Sequence, residues 1–337
     1  MSAPGRSQAL NPEPSKGEGA TVTRLRHLNT AFGVLVLIGM AAWMLQTVWP
    51  EGAARGAAAR EVWLALALWL LLLWLTLRRL AALPAQRGRQ WLAPALLGAA
   101  IIYLWELMVV AWEVPRVLLP APHAVAGALA ARWEVLWPDF KQTAFAVVAG
   151  FVVGSAGGLV VAMLADRFDV LKRGLLPLCN LAGAMPIVGI APIMVMWFGF
   201  DWQSKAAVAA IVTFFPMLVN ALAGLAAVDA MHRDLMRTYA ASPTQTLLAL
   251  RAPSALPFVF NALKINSTLA LISAIVAEFF GSPIVGLGFR ISAEVARMNV
   301  DVVWAAIVFA AVAGSVFYGL LALVERTLTG WHPSFRS

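Results

Sequence analysis

The sequence predicts an all-α polytopic membrane protein, and two observations carry that prediction. Of its 337 residues 61% are hydrophobic and only 12% are charged, where about 25% charged residues is usual in soluble domains. Long apolar runs recur, each close to the roughly 20 residues that a helix needs to cross a bilayer core. The runs lack the alternating pattern of barrel strands, and backbone groups in lipid must be bonded within the chain, so we expect a helical bundle.

Eight apolar runs are predicted to span the membrane. They cover residues 31–49, 62–77, 91–112, 143–165, 178–198, 206–225, 255–280 and 302–324. The second run is the shortest, about 24 Å as a helix, and it spans only if it extends to residue 83 or the bilayer thins locally. Residues 1–30 contain several Pro, Gly and Ser and no apolar stretch, which predicts a disordered tail rather than a signal peptide.

The net charge of +8 indicates membrane orientation rather than a nucleic-acid partner. Lys and Arg lie between the apolar runs and are not gathered into one basic surface. If the N-terminus is cytoplasmic, the cytoplasmic segments hold twice as many Lys and Arg as the outer loops. The positive-inside rule therefore predicts that both termini are cytoplasmic.

The sequence offers no pattern for cofactor or metal chemistry. The single Cys179 and the four scattered His form no ligand spacing, and there is no G-xxxx-G-K-[ST] loop for ATP. We therefore expect no bound cofactor and no ATP hydrolysis by this chain. A membrane-embedded enzyme would need a cluster of nucleophile, base or metal ligands, so it remains a remote alternative, as does a non-transporting scaffold subunit.

The connection 227–257 is longer than two neighbouring spans require. Residues 234–239 are predicted to form a short helix, and Ser242 with Pro243 to cap and start a second one. Pro253 and Pro257 are expected to end that second helix before the next span. A connection with two helices predicts a docking surface for a cytoplasmic partner.

In this connection the sequence resembles the permease subunits of binding-protein-dependent ABC importers, in the branch that includes nitrate, sulfonate, taurine and pyrimidine transporters. Their cytoplasmic loop has the pattern E-A-A-three residues-G, followed at a fixed distance by L-P. Here residues 234–242 read DLMRTYAAS and residues 252–257 read APSALP, so Asp replaces Glu, Leu-Met replaces Ala-Ala, and Ala replaces Gly. The resemblance implies that the ATPase-coupling residues are Asp234, Arg237, Ala240, Ala241, Ser242 and Pro253.

Four further stretches are similar to the same branch, and the resemblance extends over about residues 93–331. They are LPAP at 119–122, PIMVMWFG at 192–199, AEFFG at 277–281 with GLG at 286–288, and ER at 325–326 with Trp331. The resemblance implies a six-helix type I ABC importer permease core, with two extra N-terminal transmembrane helices. We expect a disordered tail over 1–30, an accessory hairpin over 31–84, a permease domain over 85–331 and a cytoplasmic tail over 332–337.

The accessory hairpin has two open interpretations: it packs on the bundle or assists insertion, or it contacts a different second permease subunit. The resemblance implies an inner-membrane subunit that forms the translocation path with a second permease subunit, identical or different, within membrane lipid. Cytoplasmic ABC ATPases would supply ATP hydrolysis, and a periplasmic solute-binding protein would deliver the solute. Residues 277–292 look more like members that transport a pyrimidine, thiamine precursor or riboflavin than like those for nitrate, sulfonate or taurine, which remain the alternative.

Three ionisable residues, Glu106, Lys264 and Glu278, lie inside apolar runs, where a charge costs about 3 kcal/mol or more. We expect Glu106 to make a structural hydrogen bond. Lys264 either extends toward the membrane surface or pairs with another charge near the coupling loop. Glu278 is either solvated at the outer mouth of the bundle, or acts in a gate or in contact with the delivery protein.

Polar residues recur at helical spacing on two spans. Asn261, Lys264 and Thr268 share one stripe of the span 255–280, and Thr213 and Asn220 share one face of the span 206–225. The candidate residues of the translocation path are Thr213, Asn220, Asn261, Asn266 and Ser273; the alternative is that they make interhelical hydrogen bonds. The G-xxx-G-xxx-G pattern of Gly150, Gly154 and Gly158 predicts close helix packing. Pro186, Pro192 and Pro216 indicate either helix breaks that line a cavity or ordinary kinks.

Overall fold

A computed structural model describes residues 33–44, 46, 57–82, 91–183, 185–281 and 284–331. In these residues all regular secondary structure is helical, which confirms the predicted all-α fold. The helices are α1 (Gly33–Met44), α2 (Ala57–Ala81), α3 (Leu92–Ala111), α4 (Pro122–Ala131), α5 (Trp133–Arg167), α6 (Asp169–Gly183), α7 (Ile187–Phe198), α8 (Trp202–Ala226), α9 (Ala230–Thr238), α10 (Pro243–Thr246), α11 (Ala252–Phe280), α12 (Leu287–Ala296) and α13 (Val300–Leu328).

Within the described residues, six helices are long and apolar enough to cross a membrane: most of α2, then α3, α5, α8, the continuous helix Pro243–Phe280, and α13. Of the other two predicted spans, 31–49 is described only over the apolar helix α1, and 178–198 contains the short apolar helix α7. The predicted single span 178–198 is wrong, because α6 ends at Gly183 and α7 starts at Ile187. Pro186 between them has extended backbone, and a proline disfavours helical geometry in the residue before it.

The expectation that Pro253 and Pro257 end a helix is also wrong. A π-helical turn, Leu247–Arg251, joins α10 to α11, and the backbone amide of Ala252 donates to the carbonyl of Leu247 five residues back. Pro253 then falls in the first turn of α11, where its missing N–H costs little. Pro257 lies inside the helix, and membrane helices tolerate such a proline when local geometry changes satisfy the freed carbonyl.

The chain divides into two units, of which the first is Met1–Pro115 with Ala121–His123. Its described core joins α1, α2 and α3 around buried Leu37, Trp69 and Leu107. The indole of Trp69 donates to the carbonyl of Leu37 at 3.0 Å. This unit groups α3 with the two N-terminal helices, and the predicted domain boundary after residue 84 stays a prediction.

The second unit comprises Arg116–Pro120 with Ala124–Ser337, and α8 packs against α5 and α11 at its centre. The α5–α8 contact brings the two backbones together at the predicted glycine stripe. A Cβ on Gly150 would lie 2.6 Å from the carbonyl oxygen of Ala206, and one on Gly158 would lie 2.4 Å from that of Phe214. The close packing predicted from this pattern is confirmed.

Candidate coupling and translocation sites

Helix α9 is the exposed part of the predicted coupling connection, and no residue of it is buried. Met231 and Leu235 of α9 and Tyr239, which directly follows it, are 70%, 51% and 76% exposed, and they recur every four residues. The helix therefore presents an apolar stripe to its surroundings. Asp234 and Arg237 form an exposed ion pair at 3.3 Å.

The end of α9 explains the position where the importer loop has glycine. Ala240 has a φ of 51°, and the amide of Ala241 donates to the carbonyl of Met236. This left-handed residue with a hydrogen bond five residues back closes the helix, a geometry that glycine adopts without strain. Ala240 therefore adopts, at the position where the importer loop has glycine, a backbone conformation that favours glycine.

Ser242 starts the next helix with a reciprocal capping box, as its position before Pro243 predicts. Its hydroxyl accepts from the amide of Gln245 at 3.2 Å, and the Gln245 side chain accepts from the amide of Ser242 at 2.8 Å. Ser242 and Pro253 thus set the beginnings of α10 and α11, respectively.

The candidate path residues fall into two groups, and the first is enclosed between helices. Thr213, Asn266 and Ser273 are fully buried. The amide of Asn266 donates to the hydroxyl of Ser155 at 2.9 Å and to the carbonyl of Thr213 at 2.8 Å. In this conformation Asn266 and Thr213 link α5, α8 and α11, Ser273 donates to the carbonyl of Ala270 in its own helix, and all three side chains present no surface to a solute.

The second group lies on an accessible face of α8 and α11. Asn261 is exposed, and its amide donates to the side-chain oxygen of Asn220 at 3.3 Å. Thr268, two turns further along α11, is exposed as well, and it lines a groove with Ala310 and Tyr318 of α13. Asn220 and Asn261 therefore remain candidates for contact with a solute, and Thr268, which was not among the predicted path residues, is also accessible.

Lys264 forms an ion pair with Glu325 at 2.7 Å, which links α11 to α13. Both side chains are largely buried, and the ammonium group is bound to a carboxylate within the bundle. Of the two interpretations of Lys264, the structure shows charge pairing. Its partner, Glu325, is the first residue of the Glu325-Arg326 dipeptide, which resembles the importer family.

Glu278 is 2% exposed and caps the first turn of α12, so it is not solvated. Its carboxylate accepts from the hydroxyl of Thr143 at 2.8 Å and from the amide of Gly288 at 2.6 Å. A Cβ on Gly286 would lie 2.7 Å from the carboxylate carbon of Glu278. The two stretches AEFFG (277–281) and GLG (286–288) therefore form one helix cap, in which Glu278 of the first accepts from the Gly288 amide of the second.

Two residues of α5, Asp139 and Thr143, complete this cap, and sequence reasoning missed both. Asp139 accepts from the amide of Gly286 at 3.0 Å and from the guanidinium of Arg290 at 2.7 Å. The hydroxyl of Thr143 accepts from the amide of Leu287 at 2.9 Å. The sequence signal that could have indicated both was the spacing of Asp139 and Thr143, because two polar residues four apart lie on one face of a helix.

Glu294 anchors the other end of α12. Burial opposes its ionisation, but the amide of Asn299, which donates to it at 2.7 Å, and the cations Arg297 and Arg290 outweigh burial. The pKa of Glu294 is therefore held below its usual value. The ionised carboxylate fixes the turn between α12 and α13.

Glu106 makes the structural hydrogen bond expected of it. Its carboxylate is 2.5 Å from the Nδ1 atom of His123 and accepts from the His123 amide at 3.1 Å. Among the described residues no three His, Cys, Asp or Glu side chains lie close enough together to hold a metal ion.

Six apolar helices of membrane-crossing length among the described residues are the features of a multi-pass membrane protein. The family described as "Binding-protein-dependent transport system inner membrane component" matches residues 154–330. The chain belongs to this family. It is therefore a permease subunit of an ABC importer, and its role is transport rather than catalysis.

Curated relatives agree with this assignment. A probable ABC transporter permease protein of Haemophilus influenzae is 32% identical over 64% of this chain and 88% of its own length. The riboflavin transport system permease protein RibX of Chloroflexus aurantiacus is 29% identical over 69% of this chain and 88% of its own. The putative aliphatic sulfonates transport permease protein SsuC of Bacillus subtilis is 27% identical over 75% and 92%.

Substituting Glu278→Gln is expected to loosen the start of α12, because one carboxamide oxygen cannot replace both acceptors of the carboxylate. We expect a loss of about 1–3 kcal/mol in stability. Hydrogen exchange of the purified protein should become faster at the amides of Leu287 and Gly288. The matched control is Glu134→Gln on the exposed surface of α5, which should leave both measurements unchanged. Unaltered exchange in Glu278→Gln would contradict the cap.

Proposed function

We propose that this permease pairs with a second permease subunit and binds cytoplasmic ABC ATPases through residues 234–242 of the connection. Its solute is a small heterocycle that a periplasmic binding protein delivers. The excess of Lys and Arg on one side of the predicted topology supports a cytoplasmic location of both termini and of α9. The observation that carries the docking part of the proposal is the exposed apolar stripe of α9.

The stripe is suited to insertion into a groove of a partner protein. An isolated helix of nine residues is marginal in water, and α9 buries no side chain of its own. Apolar side chains that recur every three or four residues are the anchors by which an amphipathic helix occupies a hydrophobic groove. Binding of an ATPase at Met231, Leu235 and Tyr239 would remove this apolar surface from water.

Substituting Leu235→Glu tests the docking. The change places a charge in the middle of the stripe and should abolish copurification of the ATPase, while the fold is kept because Leu235 is half exposed. The control is Arg233→Glu, which introduces the same side chain on the opposite face of α9. If Leu235→Glu retains the ATPase as fully as the control, α9 is not the docking element.

The proposal of a heterocycle rests on the neutral character of the accessible face. Anions are usually bound by Arg, Lys or helix N-termini. The cations of α8 and α11 are already engaged, because Lys205 donates to the carbonyls of Phe200 and Asp201 and Lys264 is paired with Glu325. Asn261 and Thr268 offer an amide and a hydroxyl, and the Asn220 amide, which donates one hydrogen to the carbonyl of Pro216, offers a second; these groups suit the donors and acceptors on the edge of a heterocycle.

The relatives divide between the two solute classes, since RibX is named for riboflavin and SsuC for sulfonates. A thermal-shift screen of the associated binding protein tests the choice. Riboflavin, a pyrimidine, taurine, an alkanesulfonate and nitrate would be compared, and stabilisation by a heterocycle is expected. Stabilisation by an oxyanion alone would overturn the heterocycle and leave the docking proposal intact.

A further inference from the structure

Arg251, the last residue of the π turn, binds two helices of the bundle at once. Its guanidinium donates to both carboxylate oxygens of Asp166, at 2.6 and 2.7 Å. It also donates twice to the carbonyl of Leu225, at 3.0 and 3.1 Å. Asp166 lies in the last turn of α5 and Leu225 in the last turn of α8, so one side chain joins the coupling connection to both.

Residues 229–250 contribute nothing comparable. The side-chain hydrogen bonds that these described residues donate or accept are local: Asp229 with Met231, Asp234 with Arg237 and Thr238, and Ser242 with Gln245 and Thr246. No residue of α9, α10 or the π turn is buried. The guanidinium of Arg251 is therefore the polar side-chain link between this connection and the bundle.

The π turn interrupts the regular hydrogen-bond pattern of the helix backbone. Its hydrogen bond from Ala252 to Leu247 spans five residues, and Pro253 cannot donate the amide bond that would follow. Such turns are uncommon and often occur at functional positions. Just beyond it α11 touches α8 closely, since a Cβ on Gly224 would lie 2.8 Å from the Cβ of Phe258. A force applied to α9 can therefore either bend the π turn or move the helices that Arg251 holds.

We propose that Arg251, Asp166 and the carbonyl of Leu225 form a coupling clamp through which displacement of the α9–α10 connection is passed to α5, α8 and α11 together. Arg251 acts as a positioning residue and touches neither ATP nor solute. This inference rests on the proposed docking of an ATPase on α9. Without the clamp, the π turn absorbs the displacement, and ATP is hydrolysed without solute transport.

The test uses the transporter purified with its ATPase and reconstituted into liposomes, with the variants Arg251→Gln and Asp166→Asn. Both should keep the ATPase bound and hydrolyse ATP at close to the wild-type rate, while solute transported per ATP falls about tenfold. Arg251→Lys should give an intermediate ratio, because an ammonium group cannot reproduce the paired donors of the guanidinium. The control is Arg167→Gln, an exposed cation next to Asp166, whose ratio should equal that of the wild type.

A charge exchange, Asp166→Arg with Arg251→Asp, should restore part of the lost ratio. Hydrogen exchange of the purified chain without its ATPase gives a second readout, and Arg251→Gln should speed exchange at the amides of residues 247–252. Unchanged exchange, or equal losses of hydrolysis and transport in the single variants, would overturn the clamp. A wild-type chain that binds no ATPase would instead refute the proposed function, whatever the exchange shows.

Discussion

The close contact between α5 and α8 is the constraint on which the rest of the described bundle depends. Lipid tails are as apolar as the helices, so helices associate in a membrane through packing and polar bonds rather than through the hydrophobic effect. At Gly154 a Cβ would lie 2.3 Å from the carbonyl oxygen of Ala210, so the two backbones are in direct contact. Asn266 then joins α11 to this pair through Ser155 and Thr213. The three helices form one packed core.

The two ends of α5 carry the polar sites of this core. At one end Asp139 and Thr143 bind the first amides of α12. At the other end Asp166 binds Arg251 of the coupling connection. Since α5 is a single helix packed along α8, a movement at one end reaches the other without passing through a flexible segment. The arrangement suits a subunit that changes the access to a path and performs no chemistry on the solute.

The accessible polar face of α8 and α11 lies between these ends. Its residues are neutral, while the cations and acids of the same helices are satisfied by partners inside the protein. A permease subunit that receives its solute from a binding protein needs only weak contacts along such a face, since tight binding would slow release. The structure therefore separates the residues that hold the bundle together from those available to a solute.

The sequence predicted the features that depend on local composition. Apolar run length located the long helices, the Gly spacing predicted the α5–α8 contact, and the Ser242-Pro243 pair predicted a helix start. It failed where a single residue overrides hydropathy, as at Pro186, and where a π turn accommodates Pro253. Periodicity placed Thr213 and Asn220 on one face of a helix but could not show that another helix covers Thr213. The partners of Asp139 and Asp166 are 147 and 85 residues away, so no local pattern revealed either bond.

The most direct test of the α5–α8 constraint compares two glycines of the same helix. Gly154→Ala puts a methyl group 2.1 Å from the hydroxyl of Thr213, whereas Gly157→Ala puts one at an ordinary 3.5 Å from the ring of Phe214. Thermal unfolding of the purified protein should show that Gly154→Ala costs about 1–3 kcal/mol. Gly157→Ala should be neutral or stabilising by up to about 1 kcal/mol, because alanine favours a helix more than glycine does. Equal effects of the two substitutions would contradict the account.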